Sequence, residues 1–214
     1  MKRRMGRLLV ILGVVAFAMG FSLALTNALD ALRAKRAAQS ALEAVQTAIE
    51  SGAQAVRPSA DAPSGAGAAV VEREETSAPA ALDPDVGLDA DGARYLGYLS
   101  VPALELELPV YAEWDDLRVQ TAPCRYSGSI ADGALVIGAH NYDKHFGRIG
   151  ELAAGDVVVI TDANGAEHKY TVSLREILNP DEVERMKSPD WALSLFTCTY
   201  GGGSRVTVRC VGEN

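Results

Sequence analysis

From Leu8 to Leu29 the chain runs 22 residues without a charged side chain, and Lys2, Arg3, Arg4 and Arg7 precede that run with no acid among them. A helix rises about 1.5 Å per residue, so a stretch of this length spans a hydrocarbon layer of about 30 Å. A cleaved signal peptide with a small-residue site near Thr26–Ala28 is the rival reading. Its apolar region is usually only about 7–15 residues, so the length favours an uncleaved anchor. The basic cluster is expected to stay in the cytoplasm, which places everything after the anchor outside the cell membrane as a single-pass protein.

Residues 1–29 therefore form a cytoplasmic tip and membrane anchor. Residues 30–92 are expected to form a stalk. Its first part, 30–50, is rich in Ala, Gln, Glu, Lys and Arg, all good helix formers, with Leu42, Val45 and Ile49 at helical spacing. From Ser51 to about Gly92 the chain turns to Ala, Ser, Pro, Gly and acid, with little to bury, and reads as a flexible tether. Seven acids and one base between residues 72 and 91 account for −6 of the formal charge of −8. The acidity thus belongs to the tether, and nothing basic suggests a nucleic-acid partner.

Residues 93–214 remain as a folded domain of ordinary size. Leu104, Leu106 and Leu108 alternate with Glu105 and Glu107, the period-two pattern of a half-buried strand. Tyr95–Val101 and Leu104–Tyr111 read as strands split by Pro102, and Ala134–Ala139 as a compact apolar strand. Asp156–Thr161 and His168–Leu174 flank Asp162-Ala-Asn-Gly165, a hairpin signal. Short helical turns are expected over Trp114–Gln120 and Pro180–Met186. Ala192–Cys198 and Arg205–Val211 complete about seven short strands, which suggests a mainly β barrel or sandwich.

The last pair of strands carries the chemistry. Cys198 ends one strand, Thr199–Ser204 form a Gly-rich turn, and Arg205 begins the return. In an antiparallel pair, facing Cβ atoms lie about 5 Å apart. A cation that close favours a thiolate and can bind a developing oxyanion. His140 stands at the end of the strand over 134–139, where its ordinary pKa near 6.5 suits proton transfer. Arg209 shares the face of Arg205 but lies about 13 Å further along. Cys210 has the opposite parity and should point away from the site. Cys124 and Cys210 could pair as a disulfide in an exported domain; their separation is not legible in the sequence. His140, His145 and His168 have no ligand spacing with the cysteines, so no metal is expected. Trp114 and Trp191 read as core or rim packing.

Leu195-Phe-Thr-Cys198, Arg205 and Gly138-Ala-His140 stand in the order found in the sortase family, and the segment His140-Asn-Tyr with His145-Phe-Gly-Arg-Ile149 resembles it too. So does the opening Val101-Pro-Ala-Leu-Glu-Leu-Glu-Leu-Pro-Val-Tyr111. The resemblance covers about residues 95–211. It implies an eight-stranded β-barrel cysteine transpeptidase that needs no cofactor. Its partners would be secreted proteins with a C-terminal sorting signal, often similar to Leu-Pro-x-Thr-Gly, and an amine of a peptidoglycan precursor or pilin. It implies Cys198 as nucleophile, His140 as proton donor and acceptor, Arg205 as the clamp on substrate and oxyanion, and the backbone around Thr197 as a substrate-binding element. Lidded pilin sortases often carry an Asp-Pro-aromatic motif, whereas Asp83-Pro84-Asp85 has no aromatic. Two other functions fit the same residues: an exported cysteine peptidase that uses water, and a tethered β-domain that binds peptides without turnover.

Overall fold

A computed structural model describes residues 2–56, 84–85 and 87–213. The apolar run does not end its helix: α1 extends over Lys2–Val56. The reason is local, since residues 30–50 are nearly all strong helix formers and no Pro or Gly interrupts them. Around the apolar run, Ile11, Leu12, Phe17, Phe21 and Leu23 are exposed. Among the described residues one helix is thus long and apolar enough to cross a membrane.

Among the described residues nine strands follow: β1 Leu88–Ala90, β2 Ala93–Val101, β3 Leu106–Tyr111, β4 Cys124–Ser127, β5 Leu135–Gly138, β6 Val157–Asp162, β7 Glu167–Leu178, β8 Leu193–Cys198 and β9 Arg205–Gly212. They lie in the order β1-β2-β3-β4-β5-β8-β9-β7-β6, and β6 pairs back onto β2. That pairing closes eight strands into a barrel and leaves β1 as an addition to the start of β2. Closure removes the open edges of the sheet. The interior is filled by alternate residues, among them Leu96, Leu99, Leu135, Ile137, Ile160, Leu193, Leu195 and Val208.

The expected alternation at the start of the domain holds. Leu104, Leu106 and Leu108 are buried while Glu105 and Glu107 are exposed. Leu104, however, belongs to a 3-10 turn opened by Pro102, and Glu105 takes a left-handed φ of 51° before β3 begins. The hairpin at 162–167 also forms: Asp162 Oδ1 accepts the backbone N–H groups of Asn164 and Ala166, and Gly165 supplies a φ of 79°. Only Arg118–Gln120 of the expected helix at 114–120 is helical, because the Asp115 carboxylate accepts the N–H groups of Leu117 and Arg118 and holds a single turn. Strands β1 and β4, three and four residues long, are too short for a periodicity to be read.

The helical half of the expected stalk is packed against the barrel. Ala34, Ala38, Ala41, Val45 and Ile49 are buried at steps of three and four, one stripe of the helix. Ala38 joins the main core, and Ala41, Val45 and Ile49 pack with Tyr95, Tyr111, Ala122 and Cys124. Leu42, expected on that stripe, is only half-buried. Of the expected tether, Ser51–Val56 is still helix, and residues 57–83 and 86 lie outside the described residues. Asp85 pins the chain where it re-emerges: its carboxylate accepts the N–H groups of Ile130 and Ala131 and meets the Arg125 guanidinium.

Where α1 meets the loop after β5, His145 is buried beside the backbone of Ala34. Burial, and secondarily the neighbouring charge of His140, lowers its pKa from 6.5 to about 4. Between those two values the unfolded chain binds a proton that the folded chain does not, so stability rises with pH across that window. The contribution is fully present above pH 6.5 and lost as the pH falls to about 4, a change of about 3 kcal/mol at about 1.4 kcal/mol per pKa unit. Thermal melts between pH 7 and 4 are expected to show this loss in the native protein and a flatter profile in His145→Phe.

Candidate active site

Three elements deliver the site. In the antiparallel pair of β8 and β9, Cys198 faces Arg205 directly. Strand β5 runs parallel to β8 with Gly138 opposite Phe196, and the Ala139 N–H continues the ladder to the Phe196 carbonyl. The same register carried two residues further sets His140 beside Cys198. All three side chains line one cavity of about 230 Å³ at the end of the barrel where β5 and β8 finish and β9 begins.

His140 is stacked on Tyr142, with ring centroids 4.0 Å apart and planes 25° off parallel. Its Nδ1 is buried and has no hydrogen-bond partner among the described residues. Burial lowers its pKa below 6.5, which makes the neutral ring the resting form and the imidazolium a stronger acid. Arg205 donates to the carbonyls of Gly202 and Ser204 in its own turn, so the guanidinium is held at the rim. That turn is itself braced, because Thr199 exchanges hydrogen bonds with Ser204.

Thr197 does not line the cavity. Its side chain is buried, and the hydroxyl donates to the Ala139 carbonyl at 2.8 Å, tying the end of β8 to the residue before His140. The other two cysteines are free and sit in separate apolar clusters, Cys124 with Tyr95 and Tyr111 and Cys210 in the barrel interior. Burial pushes both of these thiols up to about 12. Cys198 is partly exposed and lines the cavity. Arg209, on the same face as Arg205, is fully buried and bound to Glu176, Ser194 and two backbone carbonyls. No group of three or more His, Cys, Asp or Glu side chains with metal-binding geometry occurs among the described residues.

Two further walls complete the cavity, and of their residues the sequence singled out Trp114, as core or rim packing, and the turn over Pro180–Met186, without placing either at the site. One is aromatic: Trp114 stacks on Phe196 at 6.0 Å, and Tyr126 meets both rings edge-on. The other is the connection between β7 and β8, through Asn179, Pro180, Glu182, Val183 and Met186. This connection contains α2 (Val183–Met186), the helical turn expected after Pro180. Tyr126 carries no signal along the chain, because β4 is too short to show a periodicity.

A family model for the sortase domain matches residues 99–212, more than half of the chain. The chain belongs to the sortase family. The barrel is similar to sortase A from Corynebacterium diphtheriae, at 22% identity and a TM-score of 0.50 over 55% of this chain and 60% of that one. It is similar to sortase C-1 from Actinomyces oris, at 21% identity and a TM-score of 0.50 over 56% of this chain and 74% of that one. Sortase C from Clostridium perfringens aligns at 25% identity and a TM-score of 0.47 over 55% of this chain and 69% of that one. No protein of curated function matches in sequence.

In this sortase Gly138 controls how close the aromatic wall stands to β5. A Cβ there would lie 2.5 Å from Phe196 Cζ and 2.8 Å from Trp114 Cζ3. Gly138→Ala would force both rings to move, an overpacking cost of about 1–3 kcal/mol. The expected result is a rise in KM for a peptide substrate with the fold retained, measured by steady-state kinetics alongside circular dichroism.

Proposed function

We propose that this sortase is a membrane-anchored transpeptidase with Cys198 as nucleophile, His140 as proton carrier and Arg205 as electrostatic clamp. The reading is carried by one observation: three side chains of complementary chemistry, from three different elements, line a single cavity. The substrate is the C-terminal sorting signal of a secreted protein, similar to Leu-Pro-x-Thr-Gly. An extended peptide fits a cavity with one aromatic wall and a second formed by the connection between β7 and β8.

The Cys198 thiol passes its proton to the neutral His140 ring as the sulfur attacks the carbonyl carbon of the scissile Thr-Gly bond. Arg205 stabilises the negative charge on the carbonyl oxygen. The C–N bond breaks as the protonated His140 gives its proton to the leaving amine, and a thioester to Cys198 results. An amine of a peptidoglycan precursor or pilin then attacks that thioester and gives a proton to His140. The C–S bond breaks, His140 returns that proton to the sulfur, and the Cys198 thiol and neutral His140 are regenerated. Thr197 acts as a positioning residue, since its hydrogen bond holds the peptide segment leading to His140.

The anchor would leave the N-terminus in the cytoplasm and the barrel outside, in agreement with the basic residues before the apolar run. The test uses the full chain in detergent, a pool of sorting-signal peptides and an added glycine-based or diamine nucleophile, read by intact mass. An acyl adduct on Cys198 that is chased into a ligated product is the expected result. Hydrolysis unaffected by the amine would make it a peptidase. Binding without an adduct, with Cys198 also resistant to alkylation, would make it a peptide-binding domain.

A further inference from the structure

The Nδ1 atom of His140 is buried without a hydrogen-bond partner among the described residues. A histidine that moves protons is ordinarily held through one ring nitrogen by a carboxylate or carbonyl, which fixes both its tautomer and its direction. Here the main chain is held instead. The Phe146 N–H donates to the His140 carbonyl at 3.2 Å, and Phe146 is buried in the barrel core. That bond leaves the ring able to turn about its side-chain bonds. What the ring does have is a flat partner two residues on, since Tyr142 lies against it with centroids 4.0 Å apart and planes 25° off parallel.

Tyr142 is itself fixed at backbone and ring. Its carbonyl accepts the N–H groups of His145 and Gly147, both at 2.9 Å. A Cβ at Gly147 would lie 2.6 Å from the Asn141 carbonyl oxygen and 2.8 Å from that of Tyr142, so only glycine lets the loop close this tightly. The Tyr142 ring meets the His145 ring edge-on, with centroids 5.6 Å apart. His145 is buried beside the backbone of Ala34 in α1. Asp30, one turn earlier in the helix, is close enough for its charge to act on the Tyr142 phenol, and Lys35, Ala38 and Gln39 share a cleft with Lys144. A chain of contacts therefore runs from α1 through His145 and Tyr142 to His140.

We propose that Tyr142 is a positioning residue for His140, its ring taking the place of the usual hydrogen bond, and that α1 holds Tyr142 there through His145. The stack keeps the imidazole from turning away from Cys198, and it offers the ring a face with no polar group to compete for its protons. Misplacing a reacting group by about 1 Å can cost about 100-fold in rate, so a stack of this kind matters to turnover more than to folding. The proposal rests on His140 being the proton carrier proposed above, and one arm of its test needs no turnover.

The full chain in detergent is labelled with carbon-13 at histidine Cε1. The chain has three histidines, and His140→Gln assigns the signal that disappears. At about pH 8 the His140 ring is neutral, and its Hε1 proton is expected upfield because it lies over an aromatic face. In Tyr142→Leu this signal should move downfield. With the peptide Leu-Pro-Glu-Thr-Gly and triglycine, kcat of that variant should fall about tenfold or more while KM stays within about twofold. Tyr142→Phe keeps the flat face and should restore both the signal and kcat. Ala34→Leu crowds His145 and should shift the signal and lower kcat in the same direction, and Ala34→Leu/Tyr142→Leu should be no slower than Tyr142→Leu alone. Thermal melts report whether each variant is folded, and Ala34→Leu, which leaves Tyr142 in place, decides the matter should Tyr142→Leu not fold. An unmoved signal in Tyr142→Leu, or a rise in KM with kcat retained, overturns the positioning role. A loss of kcat in Tyr142→Phe equal to that in Tyr142→Leu overturns it too, because the hydroxyl would then matter and not the face. A native signal and kcat in Ala34→Leu, or losses that multiply in the double variant, overturn the role given to α1. No turnover by the native protein, with the His140 signal upfield and sensitive to Tyr142→Leu, counts against the transpeptidase and leaves the stack standing.

Discussion

Cys198→Ala is expected to yield no acyl adduct and no ligated product, with the fall in turnover at least about a thousandfold, the scale seen when a covalent nucleophile is removed. The fold should be unaffected. Cys198 is the last residue of β8, its backbone pairing with Arg205 does not use the thiol, and its side chain is partly exposed. Removing one partly exposed sulfur at the cavity rim creates no core cavity. The corresponding change at Cys124 or Cys210 should have the opposite profile. Both are fully buried, so alanine there should cost stability and leave the adduct on Cys198 intact. Intact-mass analysis of each variant after exposure to peptide, with a thermal melt, separates the outcomes. A ligated product from Cys198→Ala would end the proposed mechanism.

Arg209→Leu is expected to be the most destabilising single change on the cavity side of the barrel. The Arg209 guanidinium is wholly buried and donates to Glu176 Oε1 at 2.8 Å, Ser194 Oγ at 2.7 Å, the Met186 carbonyl at 2.9 Å and the Arg185 carbonyl at 2.6 Å. It thereby ties β7, β8 and the end of α2 to β9. Removing it leaves a largely buried carboxylate paired only with the exposed Arg185 and takes a donor from two carbonyls, a loss of about 3–5 kcal/mol. Against a total stability of about 5–15 kcal/mol this should lower Tm by on the order of 10–20 °C. Part of the loss should return in Arg209→Leu/Glu176→Gln, because the second change removes the stranded charge. Arg185 also pairs with Glu176, so Glu176→Gln alone in the native background should cost less. A melt of Arg209→Leu within about 1 kcal/mol of the native protein, the range of an exposed ion pair, would contradict this account. The connection between β7 and β8 forms one wall of the cavity, so the same variant should also weaken peptide binding.

Several features were decided by local chemistry and could be read directly from residues. The period-two Leu/Glu alternation requires a half-buried strand whatever surrounds it. Asp-Ala-Asn-Gly at 162–165 closes a hairpin through its own carboxylate and a glycine with positive φ. Cys198 and Arg205 face each other because a short turn between two strands permits little else, and parity alone sends Cys210 to the other face. The Lys/Arg cluster followed by 22 uncharged residues likewise defines a helix long enough to cross a membrane.

What only the tertiary structure decided depends on partners distant in sequence. Strand β5 could have neighboured any other strand, and its parallel pairing with β8, 58 residues on, is what sets His140 beside Cys198. Arg209 and Arg205 are the same residue type on the same face. One is buried because β7 and α2 close over it and the other is not, a difference of packing that no pattern along the chain carries. The stripe Ala34-Ala38-Ala41 is equally silent, since alanine favours any helix and is apolar enough for a core and small enough for a surface. Its burial became visible only when the barrel supplied a face to fit it. Hydrophobic periodicity and turn chemistry act over a few residues and are written in the sequence. Choice among neighbours is settled by the packing of the whole chain, and here it determined both the composition of the cavity and the face of the barrel on which α1 lies.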